Sequence, residues 1–400
     1  MARDQRNGPV AITGLGFVGA VGRGVAALDH SLAHTVSGLK RLSLWPSELA
    51  GEFPVGQYDG DLPTSRGPES RSDQLARAAA REAMATAGLD RPELLAARAG
   101  IYLGTSVCGT FNSEAAYLDY ADARRLDRRA LLSHEAGATV DLLAREFSLP
   151  GPCTSILTAC SSSANAIGLA MRCITEGRAQ VMLAGGADSL SRITVNGFHS
   201  LQLLSPDGPR PFDRERQGMS VGEGAAILIL ESLEHAQRRG AEVLALLSGY
   251  GHSCDAHHLT APHPEGVGAE HSMRAALVDA GLEPAGIGYI NAHGTATPDN
   301  DLTEAKAIRR VFGDETVPVS STKRLFGHTL GAAGGIEAAV CVRALQLGLL
   351  PANAGLREPM EDSGLQLLRE PREMRVDNVL SNSFGFGGNN ATLVFSRGAP

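Results

Sequence analysis

One arrangement of residues occurs twice in this 400-residue chain and limits the fold more than any other feature. Residues 155–157 read as a strand, Thr158-Ala159-Cys160-Ser161 as a turn, and 161–174 as a helix of small residues. Residues 317–320 read again as a strand, 323–328 as a loop, and 331–345 as a second small-residue helix. Each unit is followed by a glycine-rich turn that feeds an apolar strand, at 222–230 and again at 387–395. Such an echo predicts two related halves, 1–247 and 248–400, joined near 247–251. The length suits two units of ordinary domain size, and 43% hydrophobic residues supply their cores. Chance likeness between two small-residue helices is the competing explanation.

The other segments alternate in type. Residues 10–13, 100–103 and 288–291 read as strands, and 73–87, 231–239 and 270–280 as helices, with Gly88 and Gly281 as helix stops. Alternation of this kind predicts an α/β protein with a mixed or mostly parallel sheet. Residues 14–19, Gly-Leu-Gly-Phe-Val-Gly, match a dinucleotide-binding glycine pattern. That pattern needs an acidic residue about 20 positions on. Residues 30–40 hold none and Asp29 comes too early, so the glycines predict a tight strand-to-helix turn instead.

Several function classes fall away. A net charge of −8 gives no basic face for nucleic acid. The densest positive cluster is Arg124, Arg125, Arg128 and Arg129, either a solvated helix face or a docking site for an acidic partner. The six cysteines have no C-x-x-C spacing, so no zinc site or redox dithiol is expected, and reduced thiols point to the cytoplasm. His252, His257, His258 and His263 cluster, but without the carboxylate spacing of a catalytic metal site. The N-terminus has no apolar signal core, and no apolar run is read as long enough to span a bilayer.

Four motifs carry chemistry. Cys160 sits between a strand and a helix start, where free N–H groups and the helix dipole favour anionic sulfur by about 0.3 to 1 kcal/mol at exposed sites. A buried structural cysteine reads equally well from position alone. His293 ends a β-like run in Asn-Ala-His-Gly-Thr-Ala-Thr-Pro, and His328 follows a strand in Ser-Ser-Thr-Lys-Arg-Leu-Phe-Gly-His. At the head of a helix an imidazole is held neutral, able to donate a hydrogen bond to a developing oxyanion. Either histidine alone reads as structural; two in equivalent settings beside a matching cysteine read as a site. The fourth motif, Asn-Ser-Phe-Gly-Phe-Gly-Gly at 382–388, surrounds Phe386 with glycines that free its backbone to turn.

In this order the four motifs resemble those of the elongating β-ketoacyl–acyl carrier protein synthases, from Val10 to the C-terminal strand. The resemblance implies a thiolase-like fold, with duplicated α/β halves packed as a five-layer α-β-α-β-α sandwich. It implies Cys160 as nucleophile, His293 and His328 as the histidine pair, Lys323 and Glu337 as their supports, and Phe386 as a gate. Thr295 and Thr297 match positions that touch a pantetheine arm. Val107 and Phe198 match the acyl pocket, with Thr260 and Phe384 also on the substrate path. The implied reaction is decarboxylative condensation of an acyl group on Cys160 with a malonyl thioester. It needs no metal or redox cofactor, since the substrates ride on the phosphopantetheine of a separate acyl carrier protein. Arg124, Arg128 and Arg129 are the implied carrier-docking residues. A homodimer, or a heterodimer with a ketosynthase-like subunit, is the implied assembly.

The chain departs from housekeeping members of that family at four places. Asn165 stands where histidine is frequent, Phe326 and Asn389 replace hydroxyl residues, and Gln202 replaces an arginine that contacts the carrier. These changes point to a specialised pathway. A degradative thiolase would need a second cysteine where Phe384 and Phe386 stand. A starter-type synthase would carry asparagine in place of His328. A subunit that only shapes chain length would have lost the nucleophile.

Overall fold

The computed structural model describes residues 9–63, 69–89, 98–126, 128–314, 316–361 and 363–398. The first half contributes β1 (Val10–Gly19), α1 (Arg71–Ala87), β2 (Gly100–Gly104), α2 (Thr110–Ala123), β3 (Cys153–Ile156), α3 (Ser162–Thr175), β4 (Val181–Asp188), α4 (Arg192–Ser200), β5 (Gly224–Glu231) and α5 (Leu233–Arg238). The second contributes β6 (Ala245–Cys254), α6 (Val267–Ala280), β7 (Tyr289–Asn291), α7 (Pro298–Phe312), β8 (Pro318–Ser320), α8 (Lys323–Phe326), α9 (Ala333–Leu347), β9 (Asn378–Gly385) and β10 (Asn389–Ser396).

Hydrogen bonding orders these strands as β8-β7-β9-β10-β6-β1-β5-β4-β2-β3. Read outward from the middle, both halves repeat one order: first strand, last, fourth, second, third. The halves meet where β1 and β6 pair antiparallel, Val10 opposite Leu247 and Ile12 opposite Ala245. The division placed at 247/248 from sequence thus falls inside β6. Helix α1 covers the outer face of the first half, and α6 with α7 that of the second. Helices α3 and α9 lie between the two sets of strands and touch both, completing five layers. Their small residues have a direct reason. A Cβ on Gly334 of α9 would stand 2.8 Å from the Ala164 Cβ of α3, so larger side chains would force the central helices apart.

The structure corrects four local expectations. The glycines at 14–19 make no turn, because β1 runs on through Gly19 in register with β5. A Cβ on Gly14 or Gly16 would collide with the carbonyl oxygens of Ala83 and Ala79, so these glycines let α1 lie against the strand. Glu231 belongs to the end of β5, and the helix begins only at Leu233 behind a Ser232 cap. Lys323 opens the short helix α8 rather than a loop. Residues Leu330–Leu347 are long and apolar enough to cross a bilayer by composition, contrary to the sequence reading, but 83% of that segment is buried as the central layer. The expected stops hold: α1 ends at Gly88 with φ 66° and α6 at Gly281 with φ 64°.

Candidate active site

The turn after β3 delivers Cys160 to the centre of the molecule. Ala159 adopts a left-handed φ of 52°, rare for a side-chain-bearing residue. Oγ of Ser162 accepts the Thr158 N–H at 2.9 Å and donates to the Ala159 carbonyl at 2.6 Å. Asn165, one turn on, donates to Thr158 Oγ1 at 2.8 Å, and its own carbonyl accepts the Tyr250 hydroxyl at 2.7 Å. The second half thereby braces the turn from behind.

Burial pushes the Cys160 thiol up to about 11, although the Lys323 charge and a hydrogen bond from the Phe386 N–H pull it down. This corrects the expectation of a dipole-stabilised thiolate. Desolvation of a buried sulfur anion outweighs a helix terminus worth about 1 kcal/mol, and the resting group is a neutral thiol.

His293 follows β7, and two backbone bonds fix its loop. The N–H groups of His293 and Gly294 donate to the two carboxylate oxygens of Glu304, each at 2.8 Å. Glu304 projects from α7 and is fully buried; burial raises its carboxyl to about 7 against those two donors. His328 is fixed by its backbone, donating to the Ser220 carbonyl at 2.7 Å while its own carbonyl accepts Gly222 N–H at 2.8 Å. The two imidazoles meet edge to face with ring centres 5.3 Å apart. Both are held well below the ordinary histidine range, by burial first and then by the Lys323 charge. Neutral imidazole was expected, but from a helix terminus. The cause here is desolvation beside a cation, and Leu330–Ala332 separates His328 from the start of α9.

Lys323 and Glu337 form an ion pair behind the histidines, each almost wholly buried. The Lys323 ammonium lies 3.5 Å from His293 Nδ1. Burial raises the Glu337 carboxyl while the lysine opposes that rise. The Ser383 hydroxyl donates to the second Glu337 oxygen at 3.3 Å.

A cavity of about 410 Å3 opens onto the sulfur and both rings. Phe198, Thr260, Thr295, Thr297, Phe384 and Phe386 line it, and Gln202 joins them. The Thr295 and Thr297 hydroxyls share a 2.8 Å hydrogen bond. Val107 is not on this wall. It packs in an apolar cluster with Leu190, Val195 and Leu204, against which Phe198 and Phe111 also rest. Its N–H donates to Asp188 at 2.9 Å. Arg124, Arg128 and Arg129 are exposed near the end of α2 and are not among the residues that line the cavity. The Arg124 guanidinium lies over the Tyr120 ring at 5.8 Å.

Phe386 heads a glycine-rich turn in which Gly387 and Gly388 have φ of 79° and 75°. Gly387 N–H donates to the Leu259 carbonyl and Asp255 N–H to the Gly388 carbonyl, at 2.8 and 2.9 Å. The histidine-rich segment at 252–263 is thus strapped against this turn. Among the described residues, the one group of three ligand-type side chains within reach of a common ion is Cys160, His293 and His328, and none of that segment's histidines belongs to it.

Among the buried carboxylates that the sequence reading did not single out, two brace the site's loops. Glu304 is one. Asp188, at the end of β4, accepts from Thr105 Oγ1 and from the N–H groups of Ser106, Val107 and Gly331, and so ties the first half to the loop after His328. Its signal was an acid closing an otherwise apolar strand.

With this geometry in hand, comparison with known proteins is decisive. Residues 7–236 match the family described as β-ketoacyl synthase, N-terminal domain, and 244–357 its C-terminal domain. This chain is a member of the β-ketoacyl synthase family. It is 38% identical over 408 residues to 3-oxoacyl-[acyl-carrier-protein] synthase 2 of Coxiella burnetii, covering 97% of this chain and 98% of that one. Among solved ketosynthases, the ishigamide ketosynthase/chain length factor is similar with a TM-score of 0.94 and 34% identity, over 98% of this chain and 100% of that one. A type II polyketide acyl-carrier protein in complex with its ketosynthase gives a TM-score of 0.91 at 28% identity, over 98% and 100%. The β-ketoacyl synthase fold therefore extends over both halves, and the chain is an acyltransferase-class condensing enzyme.

Proposed function

We propose that this synthase joins an acyl group held on Cys160 to the two-carbon unit of malonyl–acyl carrier protein, with loss of CO2. The observation that carries this is the meeting of one thiol and two neutral imidazoles, all within 4.8 Å, at the base of one cavity. In the first stage Cys160 sulfur attacks the acyl thioester and the carrier thiol leaves. The neutral Cys160 thiol gives up its proton as the S–C bond forms, and the neighbouring imidazoles are in place to take it and pass it to the departing carrier sulfur, which leaves both rings neutral again. The N–H groups of Cys160 and Phe386 face the oxyanion, a kind of donor worth about 10² to 10³ in rate each.

In the second stage a malonyl thioester enters along Thr295 and Thr297. His293 and His328 donate to its thioester oxygen while the C–CO2 bond breaks, so the electron pair is held as an enolate. That carbon attacks the acyl carbon on Cys160, the S–C bond breaks, the sulfur takes up a proton from solvent to restore the thiol, and a β-ketoacyl carrier two carbons longer departs. Neutral rings suit this step because they donate without competing for a proton already lost. The Lys323–Glu337 pair holds the His293 ring in place. Phe386, between glycines and against Phe198 at 5.9 Å, gates the acyl chain. Val107 joins the acyl path only when the chain displaces Phe198.

The division of labour follows the halves: 1–247 supplies the nucleophile and 248–400 the histidines. We assign the carrier to the face of Arg124, Arg128 and Arg129, since Gln202 brings no charge to the cavity mouth. Six unpaired thiols support a cytoplasmic setting. Similarity to a ketosynthase/chain length factor pair supports a dimer, with this chain as the catalytic member, since it keeps Cys160, His293, Lys323 and His328. Acyl carriers of several chain lengths, incubated with the enzyme and followed by intact-protein mass spectrometry, test the first stage. Mass shifts that vanish in Cys160→Ala support the reading, and shifts that persist there refute it.

A further inference from the structure

The same three side chains that meet at the base of the cavity have a second chemistry available. A thiol sulfur and two imidazole nitrogens, the ligand types of many zinc sites, lie within 4.8 Å of one another and are buried. Tetrahedral zinc with bonds of about 2.0 to 2.3 Å sets its ligand atoms roughly 3.5 Å apart. The three atoms therefore need to close by little more than about 1 Å. His328 adds an independent sign, for its Nδ1 is buried with no hydrogen-bond partner among the described residues. The cavity reaches the group from outside, giving an ion a way in and leaving a fourth position for water. Charge is accommodated as well. Lys323 is paired with Glu337, which offsets part of its repulsion, and the incoming dication meets one thiolate and two neutral rings.

We propose that Cys160, His293 and His328 form an inhibitory zinc(II) site that closes the enzyme by competing with the acyl group for the Cys160 sulfur. Binding replaces the S–H bond by an S–Zn bond and releases one proton to solvent; no electron moves. An acylated Cys160 has no thiolate to offer, so acylation and zinc exclude each other, and each weakens the other by the same factor. The inference rests on the site placed by the proposed reaction, but not on the reaction being run.

Cobalt(II) is the probe, because thiolate bound to cobalt absorbs in the near ultraviolet. Chelator-treated enzyme titrated with cobalt(II) chloride is expected to show that band, and zinc chloride to bleach it. The band should be absent in Cys160→Ala and Cys160→Ser and at least tenfold weaker in affinity in His328→Ala. It should persist in the triple variant His257→Ala/His258→Ala/His263→Ala, and be missing from enzyme loaded beforehand with an acyl group. Zinc should block acyl loading of Cys160, and EDTA should restore it. A missing band, a band that survives in both Cys160 variants, or one lost with the loop histidines overturns the inference. A condensing enzyme without the band would overturn it and leave the reaction standing. The band in an enzyme that condenses nothing would support the site and sink the reaction.

Discussion

Alkylation of Cys160 as a function of pH separates two accounts of how this nucleophile is set up. If burial controls the thiol, its value stands near about 11 rather than the ordinary 9.0. At pH 8 about one molecule in a thousand is then thiolate, against about one in ten for an unshifted thiol. Reaction with iodoacetamide should accordingly be about a hundredfold slower than for an ordinary cysteine at that pH, and should climb about tenfold per pH unit from 7 to 10. Lys323→Met removes the nearest positive charge, and since that charge lowers the thiol value, the variant should react more slowly still. Peptide-level mass spectrometry separates Cys160 from the exposed Cys153 and Cys254. A rate that levels off at or below pH 8 would mean a resting thiolate. It would refute the argument that desolvation outweighs the helix terminus and the lysine.

Three further outcomes follow from single contacts. Lys323→Ala strands the buried Glu337 carboxylate and should cost about 3 to 5 kcal/mol in chemical denaturation, while Lys323→Met/Glu337→Gln recovers most of it. Asn165→Ala leaves the buried Tyr250 hydroxyl without its acceptor and should destabilise the fold by about 1 to 3 kcal/mol; it should also slow acyl loading by freeing Thr158, which Tyr250→Phe should do less. His328→Ala removes one donor to the enolate oxygen, so CO2 release from malonyl carrier should fall about 10² to 10³-fold, measured with labelled malonyl groups.

The site was legible in sequence because its chemistry sits at strand ends, where turn residues and reactive residues share short motifs. Cys160 and His293 each follow a strand and His328 follows the short helix after one, and the doubled pattern that contains two of them also announced the repeated strand order. What sequence concealed was distance. Gly14 and Gly16 read as a turn because a lone strand offers no sign that a helix will press on it; their need is the approach of Ala79 and Ala83, about 65 residues on. The neutral state of the rings was anticipated, but the cause was not, since burial beside Lys323 appears only in the folded chain. Glu304 and Asp188 were passed over for the same reason. An acid in a helix or at a strand end looks solvated until backbone N–H groups converge on it, from the loop just before the helix for Glu304 and from far segments of the chain for Asp188. Val107 was assigned to a wall by likeness alone, and its packing in the cluster against which Phe198 rests has no local signature.

Carbon-chain growth itself is the most direct test. Enzyme given an acyl carrier and malonyl carrier labelled with 13C in both its free carboxyl and its methylene carbon should release one labelled CO2 for each β-ketoacyl carrier formed. That product should be two carbons longer and carry the methylene label. Release of CO2 without a longer chain, or loss of the acyl group as free acid, would contradict the account that Cys160, His293 and His328 act together to make a carbon–carbon bond.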